Sequence, residues 1–170
     1  KNTKSDTAKI RVYLQLGNAC DVNDNLKYAD PAIKLIDECL AKTSDSLQRG
    51  NLLSQREALC GIKIFYYSTK EGNSSPKVIQ CLKEQLNISE KYQDPQAIVA
   101  ANLKVGNFYF ETGEMSKRLE YLERGYDQMK NMNFKRGMSR FIMQLSFFYA
   151  DLGDTIQALE YYEKATILEK

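Results

Sequence analysis

The stretch LSFFYADLGDTIQALEYYEKA, Leu145–Ala165, sets five aromatic residues among twenty-one positions around a central Gly-Asp pair, with no histidine or cysteine. Set beside VGNFYFETGEMSKRLEYLERGY, which starts at Val105, it matches at an offset of 40 residues. Tyr109 stands against Tyr149, Gly113 against Gly153, Leu119-Glu120-Tyr121 against Leu159-Glu160-Tyr161, and Glu123 against Glu163. Self-similarity at such a period signals an array of supersecondary units, each too small to bury its apolar face alone. In both copies a Gly-acid pair separates two apolar-periodic segments. The glycine is expected to take the left-handed end of one helix, and the polar residue after it to help cap the next.

The flanking residues read as helix. Phe141, Leu145, Phe148 and Leu152 recur at spacings of 4, 3 and 4, and Met138, Ile142, Leu145 and Tyr149 form an adjoining stripe. Two stripes give the wide apolar face of a helix packed between neighbours. All three prolines follow a capping residue, at Asp30-Pro31, Ser75-Pro76 and Asp94-Pro95. That pattern predicts three helix starts, because proline at the first helical position loses an N–H that would be unpaired anyway. Ser5 and Asp6 predict the cap of a first helix running to about Cys20. Two weaker units follow the same plan: LGNAC from Leu16 then PAIKLIDECL, and GIKIFYY from Gly61, a loop EGNSS, then a helix from Pro76. With Gly17, Gly61, Gly106 and Ser146 taken as equivalent, the spacings are 44, 45 and 40. No segment alternates as a strand would. The expected class is all-α: one domain over 1–170, a solenoid of about four antiparallel helix pairs near 5–42, 50–92, 95–130 and 135–170.

Composition narrows the function classes. A chain of 170 residues is long enough for a sizeable core. Its net charge of +2 comes from both signs spread along the chain, so no nucleic-acid partner is expected. Apolar runs such as Ile62–Tyr67 fall far short of the roughly 20 residues of a membrane span, and no direct membrane contact is expected within this segment. The opening KNTKSDTAKIR lacks the apolar region of a signal peptide. At the other end, Thr166-Ile167-Leu168 lies in a helix without the polar cap that repeat arrays need. The expectation is a piece of a longer protein, or a last helix that packs on a partner, including a second copy.

Catalytic chemistry finds little support. With no histidine, the usual general base and the Ser-His and Cys-His dyads are absent. Cys20, Cys39, Cys60 and Cys81 lie 19, 21 and 21 residues apart with no CxxC pair. They read as small thiols at tight helix contacts, once per helix, with a disulfide or redox role as the alternative. Ser74-Ser75-Pro76-Lys77 fits S-x-x-K, but a proline sits inside it and no companion motif follows. Glu111, Glu114, Asp151 and Asp154 flank turns, where acids are solvated or capping. Asn73-Ser74-Ser75 and Asn87-Ile88-Ser89 fit a glycosylation sequon, a pattern common by chance. No enzyme, cofactor or metal is expected, with an accessory domain of an enzyme as the minor alternative.

Leu145, Tyr149, Gly153, Ala158, Tyr162 and Ala165 follow Leu-x3-Tyr-x3-Gly-x4-Ala-x3-Tyr-x2-Ala, which resembles the tetratricopeptide repeat. The unit at Val105 keeps Gly106, Tyr109, Gly113 and Leu122 but has Arg118 and Gly125 where alanine is usual. The resemblance implies that Tyr149 and Tyr162 pack, and that groove-facing positions lie one, four and five residues after the helix glycine. These are Asn18 and Asp21; Ile62, Phe65 and Tyr66; Asn107, Phe110 and Glu111; Phe147, Ala150 and Asp151. The position six before it adds Arg11, Gln55, Ala100 and Arg140. The implied partner is a protein or peptide, an amphipathic segment with apolar anchors, with Phe65, Phe110 and Phe147 either facing it or packing within the array. The family's carboxylate clamp is not expected, because Leu14, Ala58, Leu103 and Met143 occupy its lysine place. SDTAKIRVYLQLGNAC, from Ser5, with repeats of about 40 residues, is also similar to the N-terminal region of certain Bacteroidetes signalling proteins. Those proteins carry tetratricopeptide repeats outside the inner membrane, then a transmembrane helix and a histidine-kinase or DNA-binding output domain. This implies a sensor segment of a two-component system, periplasmic if the resemblance holds and cytoplasmic otherwise.

Overall fold

The computed structural model describes residues 3–168. Among them run eight α-helices and no strand. They are α1 (Thr3–Ala19), α2 (Asn25–Leu40), α3 (Ser46–Glu71), α4 (Pro76–Tyr92), α5 (Pro95–Glu111), α6 (Met115–Asn131), α7 (Lys135–Asp151) and α8 (Thr155–Leu168). A 3₁₀ turn spans Val22–Asp24. Contacts group the helices into two compact units, α1–α4 up to Tyr92 and α5–α8 from Gln93.

In the first unit each helix packs on the next, and α1 also touches α3. Ile10, Ala29, Ala32, Ile36, Leu52, Leu59 and Ile62 form its buried core. Asp45 caps α3 by accepting from the Leu47 and Gln48 amides at 2.9 and 3.2 Å. The helix runs 26 residues, against 17 for α5 and α7, and its extra turns at both ends account for the wider spacing of the first units. Ser75 sits at the start of α4 as the Ser-Pro pattern predicts, its hydroxyl accepting from the Lys77 amide at 3.2 Å.

The first proline behaves differently. α2 begins at Asn25, so Pro31 lies inside the helix and Asp30 caps nothing. The chain enters through the 3₁₀ turn, whose cap is Asp21, accepting from the Asn23 amide at 2.9 Å. Burial of Asn25 and Ala29 on the same face as Ala32 and Ile36 carries the helix through the proline. Tertiary packing has here outweighed the lost i→i−4 bond. Ser5 lies among residues whose side chains are not described; α1 already runs past Asp6, which falls in its first turn.

The second unit repeats one hairpin design. α5 pairs with α6 and α7 with α8, while α6 and α5 both touch α7. Asp94 caps α5 through the Gln96 and Ala97 amides at 2.9 and 3.3 Å. Gly113 and Gly153 turn the chain with φ of 75° and 79°, and Asn133 does so between α6 and α7 at 53°. Asp154 accepts from the Gln157 amide at 3.0 Å, whereas Glu114 makes no such cap. The tyrosine pairs match too: Tyr109 and Tyr121 lie 5.6 Å apart between centroids, Tyr149 and Tyr161 5.3 Å apart and stacked. Ile98, Val99, Leu122, Met129, Phe141, Leu145 and Phe148 make the core. Gly125 admits the Phe141 ring: a Cβ there would stand 2.9 Å from Cε2 and closer to Cζ. Ser146, in the helix-glycine place, donates its hydroxyl to the Ala158 carbonyl at 2.7 Å.

Two packing expectations fail at the last hairpin. Leu152 is exposed, and Tyr162 is 49 % exposed, while its neighbour Tyr161 takes the place against Tyr149.

Candidate partner-binding surface

In the first unit α1 and α3 line an open groove of about 440 Å³ that brings together Arg11, Asn51, Leu52 and Gln55. Gln55 Oε1 is buried there without a hydrogen-bond partner among the described residues. Arg11 and Gln55 are two of the residues expected on the groove face. Asn18 and Phe65 are exposed elsewhere on α1 and α3, and Tyr66 is half-buried edge-on to Tyr67 at 5.2 Å. Ile62 is not on a surface: it is 7 % exposed and packs in the core beside Gly17, where a Cβ would lie 3.1 Å from Ile62 Cδ1. Asp21 is engaged as the cap of the 3₁₀ turn.

In the second unit Asn107, Phe110 and Glu111 on α5, and Arg140, Phe147, Ala150 and Asp151 on α7, are all exposed. What joins the two helices is Arg118 of α6. Its side chain, 7 % exposed, donates from Nη1 to Asp151 Oδ2 at 2.8 Å. The guanidinium carbon lies 4.3 Å from the Phe110 ring centroid and 5.6 Å from that of Phe148. Burial of so strongly charged a group is tolerable when it is paired and stacked in this way. The result is an acid beside an exposed aromatic, one from each helix, with Phe147 one turn before Asp151. Arg118 carried a readable signal: a long cation at a small-residue place needs an acid within reach, and Asp151 lies one repeat away.

Cys39, Cys60 and Cys81 are buried and free, and Cys20 is half-buried and free. Burial, with Glu84 nearby, pushes the Cys60 thiol up to about 12, and burial also raises Cys39 and Cys81. A thiol so held is protonated at neutral pH and is a poor nucleophile. Within Ser74–Lys77, the lysine pairs with Glu71 at 2.5 Å, and Ser75, between the two motif residues, donates to the same Glu71. Among the described residues no cluster of three or more Cys, Asp or Glu side chains is placed to hold a metal ion, and no helix is long and apolar enough to cross a membrane.

Solved structures share the hairpin architecture. A signal transduction ATPase with numerous domains that carries a tetratricopeptide repeat sensor, from Pyrococcus horikoshii, superposes with a TM-score of 0.65 at 25 % identity, over 96 % of this chain and 24 % of that one. Aspartyl phosphate phosphatase F from Bacillus subtilis does so at 0.64 and 11 % identity, over 99 % of this chain and 41 % of that one. The fold is tetratricopeptide-repeat-like. The chain thus spans a quarter to two-fifths of these structures' lengths. No protein-family model and no curated protein matches it.

Proposed function

We propose that this chain is a non-catalytic protein- or peptide-interaction module, and that α5 and α7 of the second unit present its binding strip. The observation that carries this reading is Arg118, which gathers exposed Phe110 and Asp151 from two helices into one surface feature. Aromatic faces supply apolar anchors, and Asp151 and Glu111 supply hydrogen-bond acceptors, a combination that suits an amphipathic segment. The repeat architecture supports the same class of role, since such arrays bind along surfaces built from successive repeats.

The test is a peptide-display selection on the immobilised chain, followed by titration of the enriched peptides. Phe110→Ala with Phe147→Ala is expected to weaken binding at least tenfold while the helical circular dichroism stays unchanged. Undiminished binding by the folded double variant overturns the strip.

The module further reads as the sensory part of a larger bacterial signalling protein. The similarity of SDTAKIRVYLQLGNAC to extracytoplasmic sensor regions supports this, as does the structural likeness to a signal transduction ATPase with a repeat sensor. On this reading the coding sequence after Lys170 holds an apolar span of roughly 20 residues and an output domain. A stop codon directly after Lys170 would sink it.

A further inference from the structure

A groove of about 450 Å³ runs between α6 and α8, which both pack on α7. Ile142 and Leu145, otherwise buried in α7, floor it with their edges. Glu123, Tyr126 and Asp127 form the α6 bank, and Tyr161 and Lys164 the α8 bank. Banks and floor thus all belong to helices of the second unit. A helix that followed α8 as α7 follows α6 would pack elsewhere, on Leu159 and Tyr162. These correspond to Leu119 and Leu122, which lie in the cluster around Phe141. Tyr161 and Lys164 correspond instead to Tyr121 and Arg124, and Tyr121 lies against Tyr109 of α5.

The two banks differ in how their charges are met. On α8, the Lys164 ammonium stands over the Tyr161 ring, 4.9 Å from its centroid, with Glu160 at 4.0 Å. That ring is itself stacked on Tyr149. On α6, Glu123 and Asp127 sit at i and i+4 and so share a face. Both are exposed, and neither has an ion-pair or hydrogen-bond partner among the described residues. Tyr126, half-buried beside them, has no cation over its ring among the described residues. Burial, Tyr161 and then the charge of Glu123 raise the Tyr149 hydroxyl, so the Glu123 carboxylate is felt at the stacked pair. The α6 bank is therefore an aromatic face and two carboxylates above an apolar floor, a set that lacks only its cation. Arg118 shows such a set completed in the same unit, with its guanidinium over Phe110 and an N–H donated to Asp151.

We propose that this groove takes an arginine side chain from an exposed segment of a partner protein. The aliphatic stem lies along Ile142 and Leu145, and the guanidinium meets Tyr126, Glu123 and Asp127. Arginine fits better than lysine, because a planar guanidinium can stack on a ring while its N–H groups reach a carboxylate. A tethered side chain fits better than a free amine. The carboxylates are solvated, so each ion contact contributes little, and further contacts along a longer segment must supply the rest.

The probes are N-acetyl-arginine amide and the blocked pentapeptide Ala-Leu-Arg-Leu-Ala, followed by NMR on the whole chain. Saturable shifts are expected at the Ile142 and Leu145 methyls and the Tyr126 ring, with the pentapeptide the tighter ligand. The citrulline counterparts, of the same shape but uncharged, should bind at least fivefold more weakly. Glu123→Gln with Asp127→Asn should weaken the arginine probes as much, and should keep its helical circular dichroism because both carboxylates are exposed. Lys164→Ala removes the competing cation and should strengthen binding. Phe110→Ala should leave it unchanged, which separates the groove from the strip on α5 and α7. Citrulline that binds as well as arginine, a double variant with undiminished affinity, or no saturable shift at those residues overturns the proposal. So does putrescine that binds more tightly than the pentapeptide, since a free amine is then the occupant.

Discussion

Arg118 reaches from α6 to Asp151 on α7, Nη1 to Oδ2 at 2.8 Å, with its guanidinium laid over the exposed Phe110 ring of α5. One side chain thus ties three helices of the second unit. The arginine is buried while its acid is 41 % exposed, so the pair's own coupling is screened by water. Arg118→Ala should cost about 1–3 kcal/mol in urea unfolding, because it removes packing against two rings as well as the charge. Asp151→Ala should cost less, under about 1 kcal/mol. A double-mutant cycle that gave the pair several kcal/mol would contradict this division.

Gly125 supplies the second prediction. Its α-carbon faces the Phe141 ring so closely that a methyl group cannot be added without moving the ring. Gly125→Ala should lower stability by about 1–3 kcal/mol despite alanine's better helix propensity. Phe141→Leu in the same chain should recover part of that loss. If Gly125→Ala is stabilising in thermal unfolding, the ring is not fixed where the structure puts it.

These two positions show where the sequence was readable. The turn glycines, Gly113 and Gly153, announced themselves because a left-handed φ has few other occupants. Asp94-Pro95 did so because its cap is local, satisfied within three residues. Pro31 misled because the same dipeptide pattern sits in a helix held by distant contacts, the burial of Ala29, Ala32 and Ile36 against other helices. Arg118 was visible only as a departure from a small-residue place, since its partner lies 33 residues away. Tyr162 had the spacing of a packed residue, yet packing depends on a covering helix that a spacing rule takes for granted. Of the strip residues, the repeat register left Phe110 and Phe147 open between facing outward and packing within the array, and they are exposed; Ile62, expected on the groove face, is buried because α1 closes over it at Gly17.

The thiols give a pH prediction. The Cys60 thiol ionises near 9 in the unfolded chain and only at about 12 when folded, burial being the main cause. Below pH 9 both states hold the proton, and the group does not alter stability with pH. Between 9 and 12 the unfolded state binds fewer protons, so stability falls with rising pH, by up to about 1.4 kcal/mol per unit for this group. Cys39 and Cys81, also raised by burial, steepen the fall. Urea midpoints should be lower at pH 10.5 than at pH 8.5, and Cys60→Ala should flatten the difference. At pH 8 a disulfide-exchange reagent should label Cys20 first and the three buried thiols only on unfolding; four equally fast thiols would refute their burial.

Pro31 makes the sharpest stability test. It sits inside α2, six residues along from Asn25, where it donates no backbone bond and its ring crowds the preceding turn. Its side chain faces solvent, so replacing it empties no core. Pro31→Ala should therefore stabilise the chain, by about 1–2 kcal/mol once the gain in unfolded-state freedom is set against the restored hydrogen bond. Pro95→Ala is the control, since Pro95 stands at the first position of α5 and loses no bond there. That substitution should be neutral or mildly destabilising. Were Pro31→Ala to destabilise as Pro95→Ala does, α2 would begin at Pro31 with Asp30 as its cap, and the helix drawn from Asn25 would be wrong.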